Sequence, residues 1–218
     1  MDYQLTPEEV RVLACLVEKR LSTPDAYPLT MNAVVLACNQ TSNRDPVVEY
    51  DASTVNAALK NTRGDGWSLI LSGAGARVPR FKETLTEKLG LAPASAAILA
   101  ELMLRGPQTP GELRVRCTRM HRFDDLETVE SALQEMASRA QPLVVQLPLQ
   151  PGRREARYAH LLGGPVDLAE MSEESAPSAA PRRTSVAELE DRIARLEEQL
   201  EEALEPAQPL QDLSLIHI

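Results

Sequence analysis

The chain has 218 residues, 43% hydrophobic and 25% charged, with a formal net charge of −9, a profile of a soluble globular protein with room for two small cores. No apolar run reaches membrane-span length and no basic-then-apolar leader opens the chain, so neither insertion nor secretion is expected and the cytoplasm is the default location. The acidic excess is local: residues 1–90 carry 10 basic and 11 acidic side chains, residues 91–164 carry 9 and 8, and residues 165–218 carry 4 and 13. A polyanion partner for the neutral body is therefore not excluded, whereas a broad basic surface is.

Thr6-Pro7-Glu8-Glu9 reads as a capped helix start, with apolar spacing through Val10, Leu13, Leu16 and Val17. After the Pro-broken stretch Thr23-Pro24-Asp25-Ala26-Tyr27-Pro28, Leu29-Thr30 opens a second helix through Val34, Val35 and Cys38. Residues 39–46 form a polar turn and residues 51–63 a third helix. Residues 67–71 and 77–81 are two strands around a Gly-Ala-Gly turn. Three helices and a two-stranded ribbon make the order of a winged helix.

The order then recurs. A helix at 94–105 stops at Gly106-Pro107, and Thr109-Pro110-Gly111-Glu112 is another capping box before a short Arg-rich helix. A helix from 125 to about 138, a strand at 143–147 and a return strand at 155–161 follow. The recurrence is visible letter by letter: residues 51–59 and 125–133 both read D-x-x-T-V-x-x-A-L, and the ribbons end on Arg80-Phe81 and Arg157-Tyr158. The chain thus contains a duplicated unit, 1–90 and 91–164. The first copy is longer, and either Thr23-Pro24 or Leu29-Thr30 is the counterpart of Thr109-Pro110.

Residues 165–184, rich in Pro, Ser, Ala and Glu, read as a flexible linker. From 185 to 205, Val186, Leu189, Ile193, Leu196 and Leu200 fall at alternating spacings of three and four. That pattern is a short coiled-coil seam leaning toward a parallel homodimer, with a single helix folded back on the body as the other reading. Residues 206–218 read as a disordered tail. Its last six residues break every earlier pattern and resemble a translated sequencing adapter, so His217 is set aside.

Several strings resemble the YceH-like bacterial family: Asp2-Tyr3-Gln4-Leu5, the segment from Thr23 to Leu29, Ala37-Cys38-Asn39-Gln40-Thr41-Ser42-Asn43-Arg44-Asp45-Pro46, the run from Arg105 to Arg114, and Pro151-Gly152-Arg153-Arg154-Glu155-Ala156-Arg157-Tyr158. The resemblance covers roughly residues 2–162. It implies two tandem winged-helix domains and a C-terminal coiled-coil tail, agrees with the order read from the residues, and implies little about activity. Asn61-Thr62-Arg63-Gly64-Asp65-Gly66-Trp67-Ser68 departs from that family pattern in being more Gly-rich at the end of the third helix. The expected fold class is mainly α with small β-ribbons (α+β).

Enzymatic signals are weak. There is no P-loop, dinucleotide fingerprint or Ser/His/Asp set. Three scattered cysteines, Cys15, Cys38 and Cys117, suit neither a disulfide framework nor a Cys-x-x-Cys site. No catalytic residue, cofactor or metal is expected, and His121 and His160 read as ordinary histidines.

The sharper reading is double-stranded DNA. If Ala52, Val55 and Leu59 face the core, then Ser53, Asn56 and Lys60 share the outer face, offering short donors, a bidentate amide and a cation to base edges and phosphates. Asn43, Arg44, Arg63, Arg77 and Arg80 lie nearby in the sequence order of a winged helix. The matching positions of the second copy are Glu127, Glu130 and Gln134, two of which phosphates would repel. Arg114, Arg116, Arg119, Arg122, Arg153, Arg154 and Arg157 form a possible second basic patch, with pairing inside the protein or to a partner as its more ordinary use. The sequence thus points to a cytoplasmic, dimeric DNA-binding regulator with no membrane partner. The alternative is a non-enzymatic scaffold resembling tandem winged-helix subunits of chromosome organisation, which grip a protein partner.

Overall fold

The computed structural model describes residues 3–72, 78–150 and 152–165. All of them fall within one compact unit, Met1–Val166. The linker, the coiled-coil seam (Val186, Leu189, Ile193, Leu196 and Leu200), the terminal segment and Arg77 lie outside the described residues.

Seven helices occur among the described residues: α1 (Pro7–Ser22), α2 (Met31–Cys38), α3 (Ala52–Gly64), α4 (Leu85–Lys88), α5 (Pro93–Arg105), α6 (Pro110–Arg116) and α7 (Leu126–Ala137). The fold is mixed helix with small antiparallel sheets. Their start points follow local chemistry. Thr6 Oγ1 accepts from the Glu9 amide at 3.3 Å while Glu9 Oε2 accepts from the Thr6 amide at 3.0 Å. Thr109 and Glu112 repeat the arrangement at 3.2 and 2.9 Å, so two otherwise orphaned donors are satisfied at each start. The repeated D-x-x-T motif has the same cause in both copies: Asp51 caps α3 through the Thr54 amide at 2.7 Å, and Asp125 caps α7 through the Thr128 amide at 2.8 Å.

Each of the two similar stretches carries a small antiparallel sheet. In the first copy β1 (Leu29–Thr30), β2 (Ser68–Leu71) and β3 (Arg80–Glu83) are ordered β1-β3-β2, with Leu29 opposite Phe81. In the second, β4 (Val144–Gln146) pairs with β5 (Tyr158–His160), and Gln108 bridges Tyr158. Phe81 and Tyr158 are the matching ends of the two ribbons. Leu29-Thr30 therefore corresponds to Gln108-Thr109, and the extra length of the first copy is divided, part of it before β1, where Pro24–Ala26 forms a 3-10 turn, and part between α2 and α3. The short helix α4 is not foreseen from sequence; four residues carry too little periodicity to be read.

The boundary at residue 90 falls on Gly90, held at φ 58° in the turn between α4 and α5. Across it, α1 packs against α5 and the two copies share one core. Both helices are buried nearly all round, at residues 9–18 and 95–104, as interior helices are rather than amphipathic surface ones. Leu13, Leu16, Ile98, Leu99 and Leu102 have essentially no exposure, and each contributes about 2 kcal/mol of hydrophobic stabilisation.

The charged residues in this seam are paired. Arg11 donates to the Cys38 carbonyl at 3.2 Å and the Pro46 carbonyl at 2.7 Å. Glu18 accepts from Arg44 at 2.6 Å and from Arg119 of the second copy at 2.9 Å. Burial pushes the Glu18 carboxyl up, but these guanidiniums outweigh it and hold the group below the usual range. Glu101 on α5 is paired less tightly: its Oε1 stands 3.7 Å from Arg105 Nε, neither carboxylate oxygen has a hydrogen-bond partner among the described residues, and burial raises its pKa against the opposing pull of Arg105. No described helix is long and apolar enough to cross a membrane.

Candidate nucleic-acid interface

The outer face of α3 is built by its core face. Val55, Ala58, Leu59 and Thr62 are buried, and the Thr62 hydroxyl meets the Ser68 hydroxyl at 2.9 Å, tying the helix to the start of β2. Asn61 donates to Glu9 Oε1 on α1 at 2.9 Å. With those positions spent inward, Ser53, Asn56 and Lys60 project outward and are exposed, one turn apart. One expectation is corrected here. Ala52 is exposed rather than a core position; it is the first helical residue, and the inward stripe begins only at Val55. The helix ends at Gly64 with Asp65 as its C-cap, and Gly66 turns the chain at φ 72°. The Gly-rich string therefore serves the exit from α3.

Arg63 is half-buried at the end of the helix. Arg80 is exposed on β3 and donates to the Pro28 carbonyl at 2.8 Å. The ribbon itself is not uniformly polar: Leu69, Ile70, Leu71 and Val78 are 37–51% exposed.

Arg44 is a second correction. Its side chain has no exposure, so it cannot reach a duplex. It donates to Glu18, to the Ala37 carbonyl at 2.9 Å and to Gln40 Oε1 at 2.9 Å, with its Nη2 3.5 Å from Cys15 Sγ. The distinctive string from Asn39 to Pro46 is thus an internal tie. Asn39 exchanges two hydrogen bonds with the Tyr50 backbone at 2.7 and 2.8 Å, and the Asp45 amide donates to the Leu104 carbonyl at 3.0 Å. Asn43, half-buried at φ 57°, accepts from Arg105 at 3.3 Å.

The arginines of the second copy divide. Arg114 donates to the Asp124 carbonyl at 2.7 Å, Arg116 pairs with Glu112 at 3.3 Å and donates to Gln108 at 2.9 Å, and Arg119 reaches Glu18. These three serve the fold. Arg122, Arg153 and Arg154 are exposed and Arg157 is half-buried. His121 packs edge-on to Phe123 at 4.7 Å between centroids. Burial drives His160 down to about 4, so it is neutral at ordinary pH.

The corresponding helix of the second copy presents a different surface. Glu127, Glu130 and Gln134 are exposed on α7, where with Glu155 and Tyr158 they line an open concavity of about 810 Å³. Its carboxylates repel a phosphate backbone. A Trp67–Tyr3–Lys88 cluster at the base of the first ribbon is not foreseen from sequence, because its members are far apart in the chain.

A family model described as "Protein of unknown function, DUF480" matches residues 5–153. A UPF0502 protein of Geobacter sulfurreducens is 52% identical over 90% of this chain and 89% of its own length. A UPF0502 protein of Solibacter usitatus is 48% identical over 93% and 94%. The UPF0502 protein YceH of Escherichia fergusonii is 42% identical over 94% and 98%. Matched along most of its length by the family model and by these full-length relatives, the chain belongs to the DUF480/UPF0502 family.

Proposed function

We propose that the protein is a cytoplasmic, non-enzymatic regulator that binds double-stranded DNA through its first repeat. In this reading each repeat is a winged helix. α3 enters the major groove, the ribbon from β2 to β3 reaches the backbone, and the molecule dimerises through the tail seam or the second repeat. The observation that carries the reading is the outward row Ser53, Asn56 and Lys60, a donor, an amide and a cation with no role in the core. The test is fluorescence anisotropy of the full chain with a random-sequence duplex pool at low and physiological salt. Steeply salt-dependent binding supports the reading, and no binding at low salt removes it.

A second reading is a scaffold for a protein partner. It is favoured by the exposed aliphatic side chains of the first ribbon, Leu69, Ile70, Leu71 and Val78, which suit an apolar surface better than phosphate. Duplex binding that is absent while a ribbon variant such as Leu69→Ser with Leu71→Ser alters co-purifying partners would favour it.

A further inference from the structure

At the exit of α3, beside the N-terminal strap and the end of α4, lies a cavity of about 770 Å³. That volume is within the ordinary range for small-ligand sites, roughly 300–1,000 Å³. Its walls come from both repeats: Tyr3 and Leu5 from the N-terminal strap, Asp65 and Trp67 after α3, Lys88 and Leu89 from the end of α4, and Gln141 after α7. The strap is fixed where the Leu5 amide donates to the Leu162 carbonyl at 2.9 Å. Trp67 is fixed too, its amide on the Thr62 carbonyl at 2.7 Å and its carbonyl accepting from Thr84 at 2.9 Å.

Two aromatic rings and a cation converge there. The Tyr3 and Trp67 rings are 6.2 Å apart and inclined at 59°, and Lys88 Nζ stands 4.5 Å from the Trp67 ring centroid. Nζ donates to the Asp65 carbonyl at 2.9 Å. Among the described residues no carboxylate pairs with it directly; Asp65 gives Lys88 its backbone oxygen, and Arg139, at the Leu89 edge, is matched by Glu135 at 2.8 Å. The amide nitrogen of Gln141 is buried with no acceptor among the described residues. Among the described residues the site therefore offers two aromatic rings, an ammonium that no carboxylate pairs directly, and a spare amide donor, with Asp65 also in its lining.

We propose that this cavity binds a small aromatic carboxylate. The ring lies along Trp67 and Tyr3, where offset or edge-on contacts add to the burial of its faces. The carboxylate takes charge-assisted hydrogen bonds from Lys88 and satisfies the Gln141 amide. Because the walls belong to both repeats, an occupied site braces the second repeat against the exit of α3. The proposal does not depend on α3 meeting DNA.

Trp67 is the only tryptophan of the chain, so its fluorescence reads the site directly. The full-length protein is titrated with benzoate, with benzylamine and cyclohexanecarboxylate as parallel probes and free N-acetyltryptophanamide as the collisional control. Benzoate is expected to give a saturable change in the millimolar range, as befits a fragment-sized ligand. Cyclohexanecarboxylate is expected to bind more weakly, and benzylamine weaker still. Lys88→Met, a change at an exposed side chain, is expected to weaken benzoate about tenfold while its thermal melt shows the fold retained. A linear, non-saturable response to benzoate, benzylamine binding as well as benzoate, or a folded Lys88→Met protein with unchanged benzoate affinity each overturns the proposal. None of these outcomes bears on duplex binding, which is measured separately.

Discussion

The helices α3 and α7 start from the same cap, follow the same nine-residue pattern and both bury its Val and Leu, Val55 with Leu59 and Val129 with Leu133, yet their outer faces differ in sign. One presents Ser53, Asn56 and Lys60, the other Glu127, Glu130 and Gln134. Positions that hold the fold are alike in the two copies and positions that face outward are not. The contrast separates what a helix needs in order to form from what it is free to display.

The strongest way to break the comparison is to cut what joins the two copies. Glu18→Gln leaves Arg44 buried and short of its counter-charge, and is expected to cost about 3–5 kcal/mol of unfolding free energy, read by urea denaturation. Both repeats should melt in one transition, because Glu18 is shared between Arg44 and Arg119. Its folded pKa is depressed, so the stabilisation is present above the unfolded carboxylate pKa and is lost as pH falls through the lower folded value. The gap between parent and variant closes in acid.

Next in size is the charge contrast itself. Lys60→Glu with Arg77→Glu is expected to reduce duplex affinity by about 100-fold or more at low salt, with the thermal melt unchanged. Glu127→Lys with Glu130→Lys is expected to leave that affinity intact or raise it. Equal losses from both pairs would erase the functional asymmetry of the repeats.

Glu101 offers a smaller and opposite effect. Glu101→Gln removes a buried charge whose oxygens have no hydrogen-bond partner among the described residues; burial outweighs its 3.7 Å pairing with Arg105, and the variant is expected to be more stable by about 1 kcal/mol near neutral pH. Because burial raises the folded pKa, the penalty is absent below the unfolded pKa and grows as pH rises through the folded value. The advantage of the variant should therefore vanish in acid, which a pH series of thermal melts would show. Smallest are the caps. Asp51→Ala and Asp125→Ala should each lower the melting temperature slightly and by similar amounts, since both carboxylates accept from the threonine three residues on.

What was legible in the sequence was local. Thr6 with Glu9 and Thr109 with Glu112 announce helix starts because the residues that meet are three apart. The ribbons show through their Gly, Pro and aromatic punctuation. The register of the duplication becomes clear only when Gln108 is seen opposite Tyr158. Arg44 was misplaced because its string looks like a solvated turn, while its partner Glu18 lies 26 residues away. The cavity around Trp67 was out of reach for the same reason: Tyr3, Lys88 and Gln141 come together only through the pairing of the two repeats. The outer face of α3 was legible because helical periodicity alone sets which side chains leave the core.

The position of α1 between the two copies has a consequence for synthesis. The first repeat leaves the ribosome complete in its own helices and strands, but the side of α1 that α5 will cover is still bare. That side is apolar, and it stays uncovered until residues 93–105 have emerged. During that interval the nascent chain displays a sticky surface of the kind that holding chaperones recognise. A fragment ending near residue 90 should therefore be captured by such chaperones, and one that includes α5 and α6 should be released.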